Sequence, residues 1–177
     1  MHALIILTIA ISLSMDAFSL ALAYGTLNLE KKDIISTAII VGIYHFFMPL
    51  LGNGVGNIIL KLFPLNPSAI VFVVLVFIGI QMIIEGLKNA EEVKKLSFLE
   101  KILFGLAVSI DSFSVGIGLQ SLSKRTILCA LTFSISSFVF TYIGLMFGKK
   151  INSKVGSIST IVGGIVLIIL GIFYLFN

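Results

Sequence analysis

Two aspartates are the residues of this chain best placed to do chemistry. Asp16 lies in Ser14-Met15-Asp16-Ala17-Phe18-Ser19, in the middle of an apolar run from Ile5 to about Leu27. Asp111 lies in Ser109-Ile110-Asp111-Ser112-Phe113-Ser114, again at the centre of an apolar run. A carboxylate at the centre of a membrane helix costs roughly 2.5–3.5 kcal/mol on insertion scales. The same residue twice, in matched contexts, needs a compensating interaction. Two carboxylates brought together repel, and a divalent cation, or one or two protons, relieves the repulsion. The chemistry indicated is reversible cation binding, with Asp16 and Asp111 forming one site between two membrane helices. The bland alternative is that each carboxyl is protonated and hydrogen-bonded to a neighbouring helix.

Small residues flank both aspartates at helical spacing. Ser12, Asp16, Ser19 and Ala23 share one face, and Ala107, Asp111, Ser114 and Gly118 share another. Small residues let membrane helices approach closely, so these faces are expected to bring the carboxylates to a shared point. His45 is a third candidate ligand. Pro49 has no N–H, and its ring pushes against the His45 carbonyl, so a kink there would free that oxygen. A packed histidine is the competing reading of His45. Lesser candidates for the site are Ser14, Met15, Asn53, Gln81, Glu85 and Ser109. Glu85 reads equally well as an interfacial charge beside Lys88. Gly52, Gly54 and Gly56, with Gly144 and Gly148, read as packing surfaces rather than ligands. Oxygen ligands favour Mg, Ca or Mn, and an imidazole or the Met15 thioether shifts the balance toward Mn or another transition metal.

The elements that must position these groups are membrane helices. Hydrophobic residues make up 58% of the 177 and charged ones only 11%, against roughly 25% charged in soluble domains. The mean hydropathy is +1.17. Six apolar segments can be drawn, at about 3–26, 34–60, 67–87, 101–122, 126–148 and 155–176, each near the roughly 20 residues that span the hydrocarbon. Ala21-Leu22-Ala23 resembles a signal-peptide cleavage site, but no basic residue precedes the apolar run and Asp16 interrupts it, so the first segment reads as a retained helix. Lys31, Lys32, Lys88, Lys94, Lys95, Lys101, Lys149, Lys150 and Lys154 fall in the odd-numbered loops, and Lys61, Lys124 and Arg125 on the other side. That bias puts the odd loops in the cytoplasm and both termini outside.

The chain repeats itself. Residues 14–25 resemble 109–120, Gly52-x-x-x-Gly56 matches Gly144-x-x-x-Gly148, and Gly79-Ile80 matches Gly171-Ile172. With three helices per half, the halves must be inverted, which is the architecture of many secondary transporters, with the site at the midplane between them. The expected units are 1–95 and 96–177.

The sequence also excludes chemistry. A single Cys, Cys129, allows no intrachain disulfide and no cysteine metal cluster. Gly144-Leu-Met-Phe-Gly148-Lys149-Lys150 is one residue short of a phosphate loop and lacks its final Ser or Thr. An intramembrane aspartyl protease also pairs two aspartates, but its Tyr-Asp and Gly-x-Gly-Asp signatures are replaced by Met15-Asp16 and Ile110-Asp111. No enzymatic activity is expected.

Ser14-Met15-Asp16-Ala17-Phe18, Pro49-Leu50-Leu51-Gly52-Asn53-Gly54, Met82-Ile83-Ile84-Glu85-Gly86, Ser109-Ile110-Asp111 and Gly163-Gly164-Ile165-Val166-Leu167 together resemble the manganese efflux pump family (MntP), within the LysE-type exporter superfamily. The resemblance covers nearly the whole chain. It implies a multi-pass bacterial plasma-membrane exporter of Mn²⁺ with the two aspartates in the pathway. Two positions depart from the family pattern, in which an acidic residue often stands at His45 and a basic one at Gln81. Sporulation membrane proteins of the YtaF type share the Ser-x-Asp-Ser-Phe motif, which the Asp111 half resembles.

The reading is therefore an all-α membrane protein of six transmembrane helices in two inverted three-helix repeats, exporting a divalent metal, with Mn²⁺ as transported substrate and protons as the coupling ion. No permanently bound cofactor and no nucleic-acid partner are expected; the partners are the ion, the proton and the lipid bilayer, with a homodimer left open. The alternatives are an amino-acid or small-solute exporter of the LysE type, and a YtaF-like protein without transport. An amino acid needs a cationic partner for its carboxylate, and no Lys or Arg lies in mid-helix, although a helix N-terminus can substitute.

Overall fold

The apolar runs fold as helices in a computed structural model, which describes residues 2–62, 67–87, 94–122, 125–155 and 157–176. The helices are α1 (His2–Gly25), α2 (Lys31–Leu62), α3 (Pro67–Leu87), α4 (Phe98–Leu122), α5 (Thr126–Val155) and α6 (Ser157–Phe176). Among the described residues there is no strand, only an isolated bridge between Leu29 and Lys94.

Several helices outrun their apolar segments, for local reasons. α4 begins at Phe98 because Ser97 and Glu100 form a capping box. The Glu100 N–H donates to Ser97 Oγ at 3.2 Å, and the Ser97 N–H donates to Glu100 Oε2 at 2.7 Å. α2 begins at Lys31 with Asp33 in its first turn, where a carboxylate suits the orphan N–H groups. α5 continues past Lys149 and Lys150 to Val155. α2 also continues through Pro49 as one helix.

Ile6–Gly25, Lys31–Gly54 and Thr126–Asn152 are long and apolar enough to cross a membrane, with shorter apolar stretches at Leu75–Ile84 and Ser157–Phe173. The outward faces fit that solvent. α2 exposes Ile35, Ile39, Ile43, Phe47 and Leu51, one per turn, and α5 exposes Ile127, Leu131, Ile135, Val139, Ile143 and Phe147 in the same way. Apolar stripes this long are a liability in water and ordinary against lipid tails.

Four helix pairs carry the packing: α1 with α5, α2 with α4, α3 with α6, and α2 with α5. Glycines set the closest approaches. A Cβ on Gly116 would collide with the Pro49 backbone, and one on Gly52 with Phe113. On the other side of the bundle, a Cβ on Gly144 would meet Phe18 and Ala21, and one on Gly148 would meet Leu22 and Gly25. The last two contacts run α1 parallel to α5, and Gly105 against Ile40 and Tyr44 together with Gly116 against Pro49 runs α2 parallel to α4. A core of Ala17, Leu20, Tyr24, Leu27, Phe104 and Val108 fills the space between them, with the Tyr24 and Phe104 rings stacked 4.5 Å apart.

The α1–α2 connection ties one end of the bundle together. Asn28 turns the chain with a positive φ of 55°, which asparagine tolerates. The Thr26 carbonyl accepts from Asn152 Nδ2 at 2.7 Å and from Thr160 Oγ1 at 2.6 Å. The Leu29 carbonyl accepts from Lys149 Nζ at 2.6 Å. Asp33 pairs with Lys101 at 2.7 Å and accepts the Leu96 N–H at 3.0 Å. The segment 26–33 thus reaches α4, α5, α6 and the stretch before α4.

Candidate metal site

α1 buries one side, including Ser14, Ala17, Ala21 and Tyr24, and leaves Ser12, Met15, Asp16 and Ser19 exposed on the other. Asp111 is half-buried on α4, where its Oδ1 accepts the Ser112 backbone N–H at 2.8 Å. α1 and α4 make only a small contact, and Asp16 and Asp111 stand on the two helices that make it. The close approach expected from the small faces of α1 and α4 occurs one face over: Ala21 of α1 packs on α5, and Gly116 of α4 packs on α2. On the aspartate faces Ser12, Asp16, Ser19 and Ser114 are exposed, Asp111 is half-buried, and Ala23 and Ala107 are buried.

Among the described residues, no three His, Cys, Asp or Glu side chains gather into a set that could hold an ion. His45 is the third candidate ligand. It is fully buried on α2, and its Nδ1 lies 3.0 Å from the Val41 carbonyl. Its Nε2 has no protein partner. The rest of an oxygen-rich coordination sphere, of the octahedral kind Mg and Mn prefer, would fall to hydroxyls, carbonyls and water.

The lesser candidates divide. Ser14 is fully buried and turned to α5, with its Oγ 2.6 Å from the Ala10 carbonyl and 2.7 Å from Ser136 Oγ. Ser109 is fully buried, and its Oγ reaches the Leu106 carbonyl at 3.4 Å. Met15 is exposed beside Asp16. Asn53 is half-buried, with an Oδ1 that finds no protein partner. Gln81 is half-buried on α3, which packs mainly on α6. The Glu85 side chain lies outside the described residues, as do Lys88 and residues 123–124 of the loops. Gly52, Gly144 and Gly148 are packing glycines, whereas a Cβ on Gly54 would meet open space.

Buried hydroxyls are what sequence reasoning missed. Thr37, Ser112 and Thr141 are buried without a side-chain partner, and Ser137 lies 3.3 Å from Ser14. Their signal was faint: Ser134, Ser137 and Thr141 recur at helical spacing in α5, but Ser and Thr are ordinary in membrane helices.

A family model described as "Putative manganese efflux pump" matches residues 28–175. The chain belongs to this family. A "Putative manganese efflux pump MntP" from Geobacillus thermodenitrificans is 37% identical over 169 residues, covering 95% of this chain and 92% of the relative. One from Methanobrevibacter smithii is 37% identical, covering 94% and 93%. One from Bacillus pumilus is 36% identical, covering 94% and 91%. No solved structure matches. The MntP family model begins after Asp16, but a match over 95% of the chain leaves too few residues outside it to exclude that aspartate.

Proposed function

We propose that this protein exports a divalent metal cation, Mn²⁺ first among them, from the cytoplasm by exchange with protons at Asp16 and Asp111. The observation that carries the reading is the pair itself: two carboxylates at matched positions of the sequence, on two helices that touch in the small α1–α4 contact. The names of the relatives support the choice of manganese. Expelling a divalent ion against an inside-negative potential costs about 4.6 kcal/mol per 100 mV, two charges at roughly 2.3 each. Proton entry at the same carboxylates is the simplest source of that energy.

The reading includes six membrane-crossing helices in two inverted repeats, with the basic loops in the cytoplasm and both termini outside. The glycine contacts support the repeat. Gly52 meets Phe113 and Gly116, and Gly144 meets Phe18 and Ala21. Phe18 and Ala21 stand to Asp16 as Phe113 and Gly116 stand to Asp111. Likewise Gly79 meets Gly164 and Ile168, while Gly171 meets Phe72 and Val76. Each contact has a mate made by the matching residues of the other half.

The test is reconstitution into vesicles with a Mn²⁺-sensitive dye and an imposed pH gradient. Wild type should move Mn²⁺ against its gradient, driven by the protons, and Asp16→Asn should not. Mn²⁺ movement indifferent to the pH gradient would refute the exchange, and transport of an amino acid in place of Mn²⁺ would refute the cargo.

A further inference from the structure

The α2–α4 interface is closed tightly at two levels. At one, Gly105 of α4 lies against Ile40 and Tyr44 of α2; at the other, Gly116 lies against Pro49. Because the helices are parallel, the α4 stripe between those levels faces the α2 stripe between Tyr44 and Pro49. The α4 stripe holds Ser109 and Ser112, and the α2 stripe holds His45. All three side chains are fully buried. None is well satisfied. His45 Nε2 has no protein partner. Ser112 Oγ lies beside the Asp111 carboxylate without a well-formed hydrogen bond. Ser109 reaches only a carbonyl at 3.4 Å.

The matching place in the other half is saturated. There Ser14 stands where Ser109 does, two residues before the aspartate, and its hydroxyl bonds the Ala10 carbonyl and Ser136 and lies 3.3 Å from Ser137. The α2–α4 counterpart carries a histidine and unmet valences. An unsatisfied polar group in hydrocarbon costs several kcal/mol. A water with two to four polar partners removes such a cost.

We propose that His45, Ser109 and Ser112 hold one water between α2 and α4, and that through it His45 positions the Asp111 carboxylate instead of binding the cargo ion. This rests on the reading of Asp111 as an ion ligand. His45 Nδ1 carries its proton toward the Val41 carbonyl, so Nε2 is an acceptor. The water donates to Nε2 and to Ser112 Oγ and accepts from Ser109. The Ser112 hydroxyl is then turned to donate to Asp111. That leaves the carboxylate's remaining lone pairs for the ion it shares with Asp16.

The experiment has a metal-free arm and a Mn²⁺ arm, both on the purified full chain. Without metal, thermal unfolding of His45→Leu, Ser112→Ala and the double variant should be non-additive, the double losing no more than the worse single. Additive losses overturn the shared water. If His45→Leu does not insert, His45→Ala takes its place in the cycle. With Mn²⁺, His45→Leu should bind about tenfold more weakly, as when a group that orients a ligand is removed. His45→Gln, which keeps an acceptor, should return to within about twofold of wild type. Electron spin-echo spectra of bound Mn²⁺ should carry no nitrogen modulation. Modulation that disappears in His45→Gln would make His45 a ligand and overturn the positioning role. If wild type fails to bind Mn²⁺, the metal reading falls, while the metal-free cycle still decides the water.

Discussion

Asp16 and Asp111 are matched in sequence and unequal in place. Asp16 sits on an exposed face, while Asp111 is half-buried and accepts a backbone N–H from Ser112. Asp16→Asn and Asp111→Asn should each abolish Mn²⁺ export, because an amide keeps the shape and loses the charge. Measured in vesicles, the double variant should export no less than either single, since both act on one ion. Mn²⁺ should raise the unfolding temperature of wild type and leave the double variant unmoved; an equal shift in both would remove the aspartates from the site. These aspartates were legible in the sequence because a carboxylate inside an apolar run is costly enough to stand out. The partners of Ser14 were not legible. A serine in a helix is unremarked until the fold sets Ser136 and Ser137 of α5 beside it.

At the scale of the element, the helices were legible from their apolar runs, and their ends were not. The start of α4 depends on Ser97 and Glu100, which a hydropathy pattern passes over. Ser97→Ala should cost about 1 kcal/mol of stability, read as unfolding in detergent. Burial alone would raise the Glu100 carboxyl, but the hydrogen bonds from Ser97 and the nearby Lys94 outweigh it and hold the group below the usual carboxylate range. Its contribution is therefore present above the ordinary carboxylate pKa and lost as pH falls through the lowered value. Glu100→Gln should flatten that acid-side fall in melting temperature. The glycines of α2 and α4 offer a second contrast. Gly116 lies against the Pro49 backbone, so Gly116→Ala forces α2 and α4 apart and should cost about 1–3 kcal/mol. Gly54 faces open space, so Gly54→Ala should be neutral or slightly stabilising in the same assay. Spacing alone had put Gly52 and Gly54 in one class; only the neighbouring backbone separates them.

At the scale of the molecule, the pairing of α1 with α5 and of α2 with α4 crosses the two halves of the chain. Motifs recur along the sequence, but they do not give this crossed partnership, because nothing in a motif says which helix it will meet. Asp33 and Lys101 join the halves at the α1–α2 loop, both largely sheltered, and Asp33 also caps the Leu96 N–H. Asp33→Ala strands the lysine and that N–H together and should destabilise the protein by about 3 kcal/mol, the lower range for breaking a buried pair. Lys101→Met, which removes the cation and keeps its aliphatic stem, should cost less; equal losses would show that the N–H bond contributes nothing. The same end of the bundle bears on biosynthesis. The Thr26 carbonyl, made early, is held by Asn152 and Thr160, made late. A ribosome that has delivered only α1 to α4 has produced a first hairpin whose turn lacks both donors. The nascent chain must keep that turn unlatched until α5 and α6 arrive, so a chain stopped before Thr126 should expose the 26–33 segment to protease even with its first helices in the bilayer.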